Sequence, residues 1–189
     1  MPQEGKRLEQ TLMAAGDQQR SVVSPCELPD GALLRKYRDS GAFADCYCVE
    51  VPGAVSQARY IEAFYSTRLF KIERSLLAWL VAKPSTDLQA AALAAGRLDT
   101  FAAWRVEGRT DDQLLMCDFQ GRTRSWLMSE AVSGAETPRT RLYFGSAVVP
   151  ATRAGSGRSQ MGFVFRALLG FHKRYSRMLL RAAASAVGA

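Results

Sequence analysis

The stretch from Met161 to about Ala186 reads as one long helix, and it limits what the rest of the chain can be. At roughly 100° per residue, Arg166, Lys173, Arg174, Arg177 and Arg181 fall on one side. Leu168, Leu169, His172, Tyr175, Met178, Leu179 and Ala183 fall on the other. A helix with a single apolar stripe needs an apolar surface to cover. The preceding residues supply one, because between Phe101 and Val149 the apolar period changes to two, the mark of strands. A Gly/Ser/Arg-rich loop, Ala151 to Ser159, joins the two parts. The expectation is an α+β fold in which a curved antiparallel sheet wraps around a long C-terminal helix, an arrangement that often leaves a ligand cavity between them.

The remaining elements follow from local signals. Ala32 to Arg38 fits a short helical approach. Ala42 to Val51 alternates as a strand and is closed by the Pro52-Gly53 turn. Two or three helices come next. Ser56 caps one that runs to about Tyr65. Leu69, Ile72, Leu76, Trp79 and Leu80 mark the inner stripe of a second, ended by Pro84. Thr86 with Gln89 makes a capping-box pattern for a third, stopping at Gly96. Strands are expected over Phe101–Glu107, Gln113–Asp118, Arg122–Ala131 and Arg139–Val149, and the short connections between them argue for antiparallel hairpins. Residues 1–26 are charged, glutamine-rich and weakly periodic, so they read as a flexible extension ahead of one domain over 27–187.

Composition narrows the function classes. A chain of 189 residues that is 48% hydrophobic has enough apolar side chains for one domain with a substantial core. No segment reaches the ~18 apolar residues of a membrane span. Met1 to Arg20 has no apolar signal-peptide core, so cytoplasmic location is the expectation. In a reducing compartment Cys26, Cys46, Cys48 and Cys117 would be free thiols. Cys46 and Cys48 flank Tyr47 and share a strand face. They offer two soft-metal ligands, but no second cysteine pair or histidine cluster completes a closed site. No metal and no cofactor is therefore expected, and these cysteines read as small core residues. The net charge of +7 is dispersed, without a zinc finger, helix-turn-helix or RNA-binding aromatic motif. It reads as a solvated basic face, with no nucleic-acid partner expected.

Several segments carry a likeness to a known group. They are Ala44-Asp45 at the start of the first strand, Glu50 to Gly53 at its end, the strand from Phe101 to Glu107, and Gly170 to His172 in the last helix. With the order of elements, they resemble the START and polyketide-cyclase-like (SRPBCC) superfamily, whose fold is the helix-grip. The nearest likeness is to a bacterial family of unknown function that is also seen fused to short-chain-dehydrogenase-like domains. It covers about residues 27–183, without the Gly-rich nucleotide-binding segment of such partners. The resemblance implies a cavity for an apolar or amphipathic small molecule. It implies no particular reaction, since the superfamily holds carriers, cyclases and regulators.

Candidate site residues lie on the strands and the last helix. Trp104 would share a face with Ala102 and Val106, and Trp126 with Met128, Arg124 and Arg122. One reading is an aromatic wall with an arginine clamp for an anionic group. The other is core tryptophan with arginines at the rim. Phe144 and Leu168 complete the expected ligand contacts. His172, the single histidine, would serve as general acid or base if it faces the cavity. Tyr175 would assist it, and Asp118 is either its partner or a turn residue before Gly121. A buried, hydrogen-bonded histidine is the plainer alternative. No Gly-x-Ser-x-Gly elbow is present. Arg59, Arg68, Lys71 and Arg74, beside Tyr60, Phe64 and Phe70, form a basic edge that reads first as a partner-binding or solvated edge, with transient contact to a membrane surface as the alternative. The leading expectation is a monomer or homodimer that binds a hydrophobic or amphipathic small molecule internally. The alternative is a cyclase- or isomerase-type enzyme using His172 with Tyr175 or Asp118.

Overall fold

The computed structural model describes residues 22–67, 70, 86–149 and 161–188, with the last helix's side chains from Arg174 onward. In chain order the elements are β1 (Ser24–Pro25), α1 (Arg35–Asp39), β2 (Phe43–Pro52), α2 (Gln57–Ser66) and α3 (Asp87–Ala94). They continue with β3 (Thr100–Phe101), β4 (Trp104–Arg109), β5 (Gln113–Asp118), β6 (Thr123–Ala131), β7 (Arg139–Val148) and α4 (Met161–Val187). The fold is α+β. Seven strands form one open sheet in the order β1-β2-β7-β6-β5-β4-β3, with all neighbours antiparallel. The meander from β4 to β7 is thus extended by β2, which returns from the N-terminal half to lie beside β7.

Register decides which side chains meet. Tyr47, Phe144, Leu127 and Leu114 stand opposite one another across four strands on the inner face. They join a core with Tyr60, Ile61, Phe64 and Tyr65 of α2, Leu93 of α3, and Leu179, Leu180, Ala183, Ala184 and Val187 of α4. The next row, Cys46, Gly145, Trp126 and Leu115, points the other way. It packs with Leu28, Ala32 and Leu34 around α1, giving the sheet a second core on its outer face. Each large side chain so buried contributes about 1.5–3 kcal/mol.

The local signals act as their chemistry requires. The Ser56 hydroxyl accepts the Arg59 N–H at the start of α2. Thr86 and Gln89 bond reciprocally at the start of α3. Gly53, Gly96 and Gly121 take positive φ where strands and a helix end.

Three expectations change. Phe101 to Glu107 is not one strand but a tight hairpin, with Phe101 paired to Trp104 across Ala102 and Ala103. Ala102 turns the chain at φ 52°, so it does not share a strand face with Trp104. Residues 24 and 25, read as part of a flexible extension, form an edge strand. On α4 the buried stripe runs through Ser176, Leu179, Leu180, Ala183 and Ala184, while Met178 is 49% exposed. The helix is rotated slightly from the expected apolar stripe. The helix expected from Leu69 to Pro84 lies outside the described residues, as do residues 1–21. Among the described residues no helix is long and apolar enough to cross a membrane.

Candidate functional site

Between the inner face, α2 and α4 lies a cavity of about 260 Å³. Its walls are aromatic. Phe64 and Tyr65 come from α2, Phe144 from β7 and Trp104 from β4, with Phe70, Tyr175 and Leu179 completing them. Phe64 leans on Phe144 with ring centroids 5.0 Å apart, and Tyr65 meets Phe70 edge-on at 4.9 Å. Such contacts fix the rings beyond what burial alone provides.

The floor is polar. Ser125 on β6 and Ser146 on β7 stand opposite each other, and Ser176 reaches in from α4. Asp45 on β2 is the next residue in that row, and Ser146 Oγ donates to Asp45 Oδ1 at 2.5 Å. Among the described residues, Ser176 Oγ, which lines the cavity, and Asp45 Oδ2, which borders a separate surface cleft, are buried without a hydrogen-bond partner. Buried polar atoms are nearly always paired, which sets Ser176 Oγ apart as a cavity-wall atom with no partner among the described residues. Next to Asp45, burial and the carboxylate's charge push the Tyr47 hydroxyl up to about 12, which keeps it protonated.

At the mouth, Trp104 and Asp118 oppose each other on β4 and β5. Asp118 Oδ1 accepts the backbone N–H groups of Arg122 and Thr123 at 2.7 and 3.0 Å, which holds the turn into β6. Phe119, in the same turn, lines the cavity while 54% exposed.

The structure brings Trp104, Asp118, Phe144 and Tyr175 to this cavity. It sends Trp126 and Met128 to the outer core. The two tryptophans cannot form one wall, because Trp104 pairs with Asp118 and Trp126 with Leu115, which are on opposite faces of β5. Trp126 is fully buried there and donates its indole N–H to Gln113 Oε1 at 2.9 Å. Arg124 borders the cavity, but its guanidinium lies on the outer side. It bonds Glu107 at 2.7 Å, the Tyr37 hydroxyl at 2.9 Å and the Gly121 carbonyl at 2.7 Å, and stacks over the Tyr37 ring. It is therefore not an anion clamp inside the cavity. Arg122 is exposed. The side chains of Leu168 and His172 lie outside the described residues.

The basic edge changes as well. Tyr60, Phe64 and Phe70 are buried in the core, which removes them from any surface contact. Arg59 reaches the Val187 carbonyl at the end of α4. Arg68, Lys71 and Arg74 are outside the described residues.

Sequence reasoning missed the polar floor. Its one visible signal was serine at inward positions of otherwise apolar strands. Among the described residues no group of histidine, cysteine, aspartate or glutamate side chains is arranged to hold a metal ion. Compared with protein-family models and with curated proteins, the sequence matches none.

Proposed function

We propose that this protein binds a small hydrophobic or amphipathic molecule in the inner cavity, its ring or chain against the aromatic walls and a polar group on the serine floor. The observation that carries this is an aromatic cavity whose lining holds Ser125, Ser146 and a buried Ser176 Oγ that has no partner among the described residues. Ligand sites are mostly apolar with a few placed polar groups. A volume of about 260 Å³ lies near the small end of that class. The likeness to the helix-grip superfamily read from the sequence points the same way, and membership of that superfamily is part of this proposal. So are a monomeric or dimeric state and the absence of a nucleic-acid partner. A catalytic use of the same cavity is the second reading, favoured by Tyr175 and Asp118 both lining it. NMR titration of His172 separates the two, because an acid–base role requires its pKa to respond to bound ligand.

The test is displacement of an anilinonaphthalene dye from purified, delipidated protein by a panel of small aromatic alcohols and acids. Wild type is expected to bind dye at one site and release it to some panel members. Ser125→Phe fills the floor and should weaken binding at least tenfold with its circular dichroism unchanged. Absence of dye binding, or a folded Ser125→Phe that binds as wild type does, contradicts the proposal.

A further inference from the structure

Three of the four cysteines meet on the outer face, at the β1 edge of the sheet, away from the cavity. Ser24 pairs with Cys48 and Pro25 with Tyr47, so the register sets Cys26 opposite Cys46. The Cys26 N–H donates to the Cys46 carbonyl at 3.1 Å, and the two sulfurs are 3.4 Å apart. Cys48 lies two residues further along the same face, interacts with the Cys26 thiol, and has the Ser24 hydroxyl 3.8 Å away. Opposed antiparallel residues have Cα atoms ~4.5–5.5 Å apart, within the range a disulfide spans. Side-chain rotation can therefore bring Cys26 and Cys46 to bonding distance. Access exists too, since a surface cleft is bordered by Cys26, Cys46, Arg38 and Arg177. Cys117 is buried against its own strand and takes no part in this group.

We propose that Cys26, Cys46 and Cys48 form a disulfide-forming site that takes hydrogen peroxide as oxidant and latches β1 to β2. The Cys26 sulfur attacks one peroxide oxygen, the O–O bond breaks, and Cys26 becomes a sulfenic acid as water leaves. The Cys46 sulfur then attacks the Cys26 sulfur and a second water leaves. Two thiols are oxidised, one peroxide is reduced, and the two thiol protons end in the water formed. Cys48 is placed to exchange into the bond, since its thiol also meets that of Cys26.

The latch joins residues 20 apart in sequence, and the loop between them carries α1 and the outer core residues Leu28, Ala32 and Leu34. Oxidation therefore ties down the segment that covers Trp126 and leaves the inner cavity untouched. The hydrogen bond to Cys46, with burial adding to it, pushes the Cys26 thiol up to about 12. The thiolate is the reactive form and little of it is present near neutral pH, so the reaction is slow there and quickens with pH, about tenfold per unit between pH 7 and 9.

The test treats the full, reduced chain with excess peroxide at pH 9, alkylates the remaining thiols in denaturant, and maps the digest by mass spectrometry. The free-thiol count is expected to fall from four to two. The Cys26 peptide should be crosslinked to the one holding Cys46 and Cys48, with Cys117 alkylated. Cys26→Ser should keep its three thiols under the same dose. A thiol count that stays at four, a Cys26→Ser chain that loses thiols as fast as wild type, or crosslinks through Cys117 or between chains would each overturn the proposal.

Discussion

Single residues on the outer face show how closely the sheet is fitted to what covers it. Gln113 accepts hydrogen bonds from the Trp126 indole and the Leu33 amide, both at 2.9 Å, and donates to the Gly31 carbonyl. One side chain thus ties the tryptophan to the loop before α1. Gly145 sits opposite Trp126, and a Cβ there would meet Leu34 Cδ2 at 2.8 Å and Trp126 Cε3 at 3.0 Å. Gly145→Ala should therefore lose about 1–3 kcal/mol in urea unfolding, the usual range for overpacking a tight core. An unchanged midpoint would show that the outer core has slack. Glu107 carries a pH signature. Burial alone would raise its pKa, yet hydrogen bonds from Lys36 and Tyr37 and the charge of Arg124 hold it below the usual carboxylate range. Its contribution is full above pH 4.5 and is lost as pH falls through the lowered value. Glu107→Gln should be less stable than wild type near neutral pH, and the gap should narrow as the solution is acidified below that point. A gap that is constant with pH would show that the network holds by shape alone.

Among the elements, α4 gives the sharpest comparison. Leu180 is buried against the inner face, and Met178, two residues earlier, is exposed. Leu180→Ala should lose about 2–5 kcal/mol and Met178→Ala should stay within about 0.5 kcal/mol, both read from denaturant midpoints. Similar losses at the two positions would mean that the helix packs by another face. The extent of α4, the caps of α2 and α3, and strands β5, β6 and β7 were legible in the sequence, because each rests on signals a few residues apart. The Phe101–Trp104 hairpin was hidden because its turn is made by two alanines, which carry no turn signal. The rotation of α4 was hidden for another reason. A wheel ranks residues by hydrophobicity, and Ser176 took a buried place that Met178 did not.

At the scale of the whole molecule, β2 joins β7 and thereby sets Asp45 in one row with Ser146 and Ser125 of the cavity floor. No local pattern predicts that pairing, which links residues about a hundred positions apart. The aromatic content of the site was legible, but which tryptophan belonged to it was not, since face assignment depends on register across three strands, β4 to β6. The two indoles now report on opposite sides of one sheet, Trp104 on the cavity and Trp126 on the outer core. The most direct test is a nitrogen–proton correlation spectrum of labelled protein, with a panel compound added that displaces the dye. The account predicts that the Trp104 indole cross-peak, assigned by Trp104→Phe, moves with ligand concentration while the Trp126 peak stays in place. A Trp104 peak that ignores the compound, or a Trp126 peak that moves in its stead, would contradict it.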